Sequence, residues 1–254
     1  MPTSTSPSPL RIIYIVGAGR SGSTVLDTVL GNHPDAVSVG ELSNLHRSGW
    51  INNEFCACGE PADGCGFWNE VRQAWLNATR GADVEDYLAM QARFERFRPA
   101  AMWRTEASSL FRTAAARRYL EQTGSLYESI AAVSRRRVIV DSSKTPLRAR
   151  WLARLPGVDL RLVHLVRDSR AVAWSRKKSL ARDLEGGVQH DLASRPAWYS
   201  VVYWTIANLF AARLRRRAGD RGVLVRYEDF VSDPAGELVR IGDACGLDCG
   251  GLAR

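Results

Sequence analysis

The run Ile12-Ile13-Tyr14-Ile15-Val16 leads directly into Gly17-Ala18-Gly19-Arg20-Ser21-Gly22-Ser23-Thr24. A short, wholly apolar run bounded by glycine reads as a strand buried on both faces, which is the environment of a parallel sheet. The eight residues after it have the spacing of a phosphate-cradling loop, with Gly at the first and sixth places and Thr at the eighth. A helix follows from about Gly22 to Gly31, with Leu26, Val29 and Leu30 on its apolar side, and Asn32-His33-Pro34 stops it. Strand, glycine turn and helix in this order confine the chain to a layered α/β architecture.

The remaining pattern agrees. Val37–Val39, Arg137–Asp141, Leu160–Arg167 and Gly222–Arg226 read as strands. Helical patterns cover Pro146–Leu155, Ser169 to about Leu180, Ala197–Arg217 and Pro234–Cys245. Between the second and third strands, residues 46–66 read as a loop or irregular lid. Helices then follow over Phe67–Thr79, Val84–Phe97 and Trp103–Val133, the last with a break near Gly124. The expectation is an α/β fold with a P-loop-like central parallel β-sheet flanked by helices, in a single domain over residues 11–254 behind a disordered tail of residues 1–10. Residues 46–134 are expected to form a loop and helical insertion that covers and shapes the site.

Composition bounds the partners. The 254 residues carry 35 basic and 27 acidic side chains, a net charge of +8, and only Lys144, Lys177 and Lys178 are lysines. That balance suits nucleic acid, an anionic surface or a phosphate-bearing small ligand. Nucleic acid is the weakest of these: Arg135–Arg137 abuts a strand, and Arg213–Arg217 ends a helix, where cations complement the dipole. The N-terminus lacks the basic and apolar regions of a secretory signal. No stretch reaches ~18 consecutive apolar residues, so no transmembrane segment is expected and a cytoplasmic location is. Oligomeric state is open, a homodimer included. Five cysteines do not make a complete disulfide framework. Cys56, Cys58 and Cys65 cluster, but a zinc site usually wants a fourth ligand, which only distant Cys245, Cys249 or a His could supply. A local turn with thiols, able to form a reversible disulfide, is the expected role.

Backbone N–H groups at a helix N-terminus attract anions, and Arg20, Ser21, Ser23 and Thr24 add side-chain donors. A nucleotide triphosphatase would carry Lys where Ser23 stands. Val138-Ile139-Val140-Asp141 does look like a strand ending in a magnesium-supporting Asp, which keeps a small-molecule kinase as the alternative. A second anion site is offered by Val166-Arg167-Asp168, at the carboxyl end of a strand, with Ser175 eight residues on.

These two motifs together resemble the sulfotransferases that use 3′-phosphoadenosine 5′-phosphosulfate (PAPS), and most of all their bacterial, tyrosylprotein and carbohydrate branches. The likeness covers roughly residues 11–45 and 135–248. It implies that Gly19, Arg20, Ser21, Gly22, Ser23 and Thr24 hold the 5′-phosphosulfate, and that Arg167 and Ser175 hold the 3′-phosphate. Tyr227 falls where the family has a Tyr near the nucleotide. Glu41, 21 residues beyond Arg20, matches the general base of the tyrosylprotein branch. Lys144 looks like the Lys that balances charge on the transferring sulfonate, a catalytic role shared with Arg20. The implied donor is PAPS, no metal is required, and the acceptor is a small-molecule, carbohydrate or lipid hydroxyl, or an amine.

Among the histidines, His46 is the rival base; His33 sits in a helix-stopping turn, His164 inside a strand and His190 in a loop. Family members usually continue past the last helix with a segment that closes over the nucleotide. This sequence stops at Arg254. The expectation is that the 181–196 loop replaces that segment or that nucleotide binding is weakened, which keeps a catalytically degenerate nucleotide-binding protein as a further alternative.

Overall fold

The computed structural model describes residues 9–95, 113–179 and 193–252. Strands β1 (Leu10–Gly17), β2 (Ala36–Ser38), β3 (Val138–Lys144), β4 (Val158–Val166) and β5 (Gly222–Arg226) form one parallel sheet in the order β2-β3-β1-β4-β5. The apolar run that opens the chain is its centre. Side chains alternate across a strand, so Leu10, Ile12, Tyr14 and Val16 enter one core while Ile13 and Ile15 enter the other. β1 begins at Leu10, which is fully buried and pairs with Val158, one residue earlier than the sequence reading.

Helices cover both faces. In chain order they are α1 (Ser23–Gly31), α2 (Gly66–Ala78), α3 (Val84–Glu95), α4 (Ala114–Ser134), α5 (Pro146–Leu152), α6 (Ser169–Lys177), α7 (Ala197–Ala218), α8 (Tyr227–Ser232) and α9 (Pro234–Cys245). The core holding Leu10 and Tyr14 takes Val71 and Trp75 of α2, Tyr87 of α3, Tyr119 and Tyr127 of α4 and Trp151 of α5. The opposite core takes Leu26 and Leu30 of α1, Phe230 of α8, and Leu238 and Ile241 of α9.

Three local readings change. Residues 46–51, expected as the start of a loop, are helical: they belong to a π-helix over Leu45–Ile51, which follows a 3₁₀ turn at Leu42–Asn44. Leu42, Leu45 and His46 are buried there, so this segment's backbone polar groups are paired within a turn. α4 runs through Gly124 unbroken, since a single glycine costs a helix interior only about 1 kcal/mol. The short α8 escaped notice, since its six residues cannot show a helical period. The extension of α4 back to Trp103, the end of α3 at Phe97, residues 181–192 of the 181–196 loop and His190 lie outside the described residues. Among those described, no helix is long and apolar enough to cross a membrane.

Candidate active site

In an open parallel sheet, ligands bind beyond the carboxyl ends of the strands. Here each strand delivers a candidate residue to that edge: Arg20 after β1, Glu41 after β2, Lys144 at the end of β3, Arg167 after β4 and Tyr227 after β5. A cleft of about 540 Å³ is lined by Gly19, Arg20, Gly22, Ser23, Thr24, Val25, Glu41, Lys144, Arg167, Ser175 and Tyr227. Residues more than 200 positions apart in sequence therefore share one cavity. Ser21 is the exception among the predicted set. It is buried and does not line the cleft, and its hydroxyl has no partner among the described residues.

The loop geometry depends on glycine at one place above all. Gly22 caps α1 at φ 89°, and a Cβ there would sit 2.3 Å from two ring carbons of Tyr227. Arg20 has φ 70° and Lys144 φ 66°. Left-handed backbone costs a non-glycine residue about 1–2 kcal/mol, and both cations of the cleft's centre are held that way. The Gly19 N–H donates to the Tyr203 hydroxyl of α7 at 3.2 Å, fastening the loop from outside.

Arg167 lies over the Tyr227 ring, 4.4 Å from its centroid, and donates to the Arg20 carbonyl at 3.3 Å. Its own carbonyl accepts from Trp204 Nε1 at 2.8 Å. Asp168, the neighbour a simple ion pair would use, instead caps α6 and pairs with Arg170 at 2.6 Å. The Arg170 side chain's hydrogen bond holds the exposed Asp168 carboxyl down at about 2. Ser175, one turn and a half into α6, shares the cleft with Arg167.

Glu41 and Lys144 form an ion pair, and Asn44 Nδ2 donates to the second Glu41 oxygen at 3.2 Å. Their placement traces to a bulge. Tyr14 and Val16 of β1 face Asp141 and Lys144 of β3, so β3 carries one residue more than its partner over that interval. Bulges re-aim side chains, and here Lys144 is turned into the cleft. Asp141, fully buried, secures the bulge by accepting from the Ser143 N–H at 2.8 Å and from the Ser143 hydroxyl. That hydroxyl oxygen in turn accepts the Ser43 N–H at 2.9 Å, and Ser142 N–H donates to the Gly40 carbonyl at 2.8 Å. The segment bearing Glu41 is thus stitched to β3. Behind it, Arg148 is 1% exposed between Glu95 at 2.8 Å and Asp141 at 3.4 Å, with Tyr127 and Tyr119 donating to the two carboxylates. This buried network was not found from sequence; the only signal was the polar run Asp141-Ser142-Ser143 inside an otherwise apolar strand.

The sulfotransferase family model matches residues 12–250. The chain belongs to the sulfotransferase family. No curated protein matches it. Among solved structures, the sulfotransferase domain of the Synechococcus PCC 7002 olefin synthase is 21% identical with a TM-score of 0.54, over 98% of this chain and 78% of that one. The sulfotransferase domain from the curacin biosynthetic pathway is 19% identical with a TM-score of 0.52, over 95% and 75%. A sulfotransferase of Mycobacterium tuberculosis H37Rv is 16% identical with a TM-score of 0.50, over 97% and 70%. At these identities the likeness is one of fold.

Two sequence-based rivals fail in this sulfotransferase on geometry. His46, the alternative base, is 1% exposed and packed among Trp50, Trp75 and the stacked ring of Tyr87. Burial, and then the charge of Arg148, pushes its pKa down to about 3, and neither ring nitrogen has a hydrogen-bond partner among the described residues. It does not reach the cleft. Asp141, on which the kinase reading leaned, does not line the cleft either; Ser143, Tyr127 and Arg148 occupy its oxygens. His164 is a core histidine as expected, with Nε2 3.0 Å from Asn208 Oδ1, although its buried Nδ1 has no hydrogen-bond partner among the described residues. A second depression of about 290 Å³ shares Glu41 with the cleft and is lined in part by Val39, Leu45, Phe55 and Trp68.

Proposed function

We propose that this sulfotransferase moves a sulfonate group from PAPS to an acceptor hydroxyl or amine, with Glu41 as general base. The observation that carries the reading is the shared cleft: three cationic side chains, a hydroxyl-bearing glycine loop and one carboxylate line the same cavity at the sheet's carboxyl edge. A phosphosulfate anhydride with a separate 3′-phosphate needs such a set, with donors at a helix N-terminus and a second cation some distance away. Gly22, left-handed at the N-cap of α1, keeps the loop free of a Cβ that would strike the Tyr227 ring.

PAPS, when bound, supplies an activated sulfonate whose bond to the 5′-phosphate is the one broken. Ser23, Thr24 and Arg20 hold its phosphosulfate end, and Arg167 with Ser175 holds the 3′-phosphate. Glu41 accepts the acceptor's proton as the new bond to sulfur forms. Lys144 stabilises the charge that develops on the bridging oxygen. Lys144 pairs with Glu41, and an ammonium drawn onto the phosphosulfate would leave that carboxylate free for the proton. The acceptor enters through the depression that shares Glu41, whose mixed lining of Asn44, Ser48 and Glu54 with Leu45, Phe55 and Trp68 suits a small-molecule, carbohydrate or lipid acceptor with polar and apolar portions.

The test is Glu41→Gln assayed with labelled PAPS against a panel of hydroxyl and amine acceptors, beside calorimetric binding of 3′-phosphoadenosine 5′-phosphate. Turnover falls about 10²–10⁴-fold, the usual contribution of a general base, while the nucleotide still binds. Turnover unchanged from the parent removes Glu41 from the role.

A further inference from the structure

The mechanism leaves one cluster unused. Cys56, Cys58 and Cys65 bring their three sulfurs within 4.8 Å of one another, and Cys56 and Cys65 stand 3.6 Å apart. Four sulfurs or nitrogens around zinc at about 2.3 Å are separated by roughly 3.8 Å along a tetrahedral edge. A disulfide would instead need about 2.0 Å and would strand the third thiol. The Cys56–Cys65 spacing is close to such an edge, and the Cys58 sulfur lies near enough to both to share one ion.

The backbone holds this face in shape. Cys56 and Cys58 sit on a tight turn closed by the Cys56 N–H to the Glu60 carbonyl at 2.8 Å and the Gly59 N–H to the Cys56 carbonyl at 3.0 Å, with Gly59 at φ 91°. Cys65 comes from a different element, the N-cap of α2, fixed by its N–H to the Pro61 carbonyl at 3.1 Å. Cys65 is buried, Cys56 half-buried and Cys58 exposed, so the cluster runs from the protein interior to its surface, where solvent can reach it.

The geometry points to a zinc site formed by Cys56, Cys58 and Cys65, with water completing the tetrahedron. Soft thiolates select zinc over the oxygen-preferring ions, and coordination releases the three thiol protons to solvent. The distant Cys245 and Cys249 take no part; they are buried in the core beneath α9. The ion ties the turn at residues 56–60 to α2. Cys56 lines the depression that shares Glu41, so this tie sets the wall of that depression. The site stands on the thiols alone and is independent of the donor and base assigned above.

Cobalt is the probe. The full chain, reduced and stripped with chelator, is titrated with Co²⁺, then with Zn²⁺. One equivalent of Co²⁺ produces a thiolate-to-cobalt charge-transfer band that Zn²⁺ bleaches, and Cys58→Ser weakens cobalt affinity at least about tenfold. In the unaltered chain, Zn²⁺ slows alkylation of exposed Cys58, a readout that does not depend on any variant folding. The proposal is overturned by saturating Co²⁺ without a thiolate band, by an alkylation rate at Cys58 indifferent to Zn²⁺, or by a Cys56–Cys65 disulfide in protein purified under reductant.

Discussion

Gly22→Ala tests the donor loop where its geometry is tightest. The new methyl would stand 2.3 Å from Cδ2 and Cε2 of Tyr227, whereas carbon atoms rest at about 3.5–4.0 Å. The ring must therefore retreat by more than ~1 Å. The backbone at φ 89° adds about 1–2 kcal/mol for an L-residue, and overpacking adds about 1–3 kcal/mol. The sum is a loss of about 2–5 kcal/mol, which for a domain of this size lowers Tm by roughly 4–20 °C. Tyr227 also carries the Arg167 guanidinium at 4.4 Å, so displacement of the ring loosens the 3′-phosphate cation and weakens binding of 3′-phosphoadenosine 5′-phosphate. Thermal denaturation and calorimetry on Gly22→Ala, Tyr227→Ala and the double variant separate the parts. The double variant recovers the steric share and keeps the backbone share. A Gly22→Ala protein within about 0.5 kcal/mol of the parent, or a double variant that recovers nothing, would refute the packing assigned to this loop.

Arg167→Ala removes a charge-assisted contact to the 3′-phosphate, worth about 1.5–3 kcal/mol, so affinity for 3′-phosphoadenosine 5′-phosphate falls about 10–150-fold. Affinity for adenosine 5′-phosphosulfate, which lacks that phosphate, falls far less, and equal losses for both would contradict the assignment. His46→Phe tests the buried imidazole. Its folded pKa of about 3 lies below the unfolded value near 6.5, so between those values the unfolded chain binds the extra proton. Stability is then lost as pH falls below about 6.5, by up to about 1.4 kcal/mol per unit. Urea midpoints from neutral pH downward should fall less steeply in His46→Phe, and identical acid slopes would show that His46 is not the group responsible. Arg148→Met leaves Asp141 and Glu95 buried without their cation, a loss of about 3–5 kcal/mol in urea denaturation. A variant within about 0.5 kcal/mol of the parent would count against the network.

The sheet and most of the cleft were legible because local physics wrote them into short segments. An apolar run before glycines could only be a buried strand, and the residues just after each strand had to reach the same edge once the sheet was parallel. Arg167 and Ser175 could be paired in advance because a strand end and a following helix fix their separation. What escaped was set by tertiary burial. His46 is adjacent in sequence to the Glu41 segment, but the π-helix at Leu45–Ile51 turns it into an aromatic core, and no spacing rule reveals that turn. Asp141 looked like a metal-supporting carboxylate because its partners, Arg148 and Tyr127, come from other elements. Ser21 sits among residues that face the cleft, and only the three-dimensional turn shows that its hydroxyl does not. The thiol cluster was visible as spacing, but the distances between its sulfurs were not.

The central claim is that the cleft is built for a 3′-phosphorylated adenosine donor without metal. Thermal stabilisation by 3′-phosphoadenosine 5′-phosphate in chelator, titrated beside ATP with Mg²⁺, tests it most directly, since stabilisation grows with ligand concentration over its dissociation constant. The account predicts a concentration-dependent rise in Tm with the bisphosphate and a far smaller one with ATP and Mg²⁺. A larger rise with ATP and Mg²⁺ would contradict it.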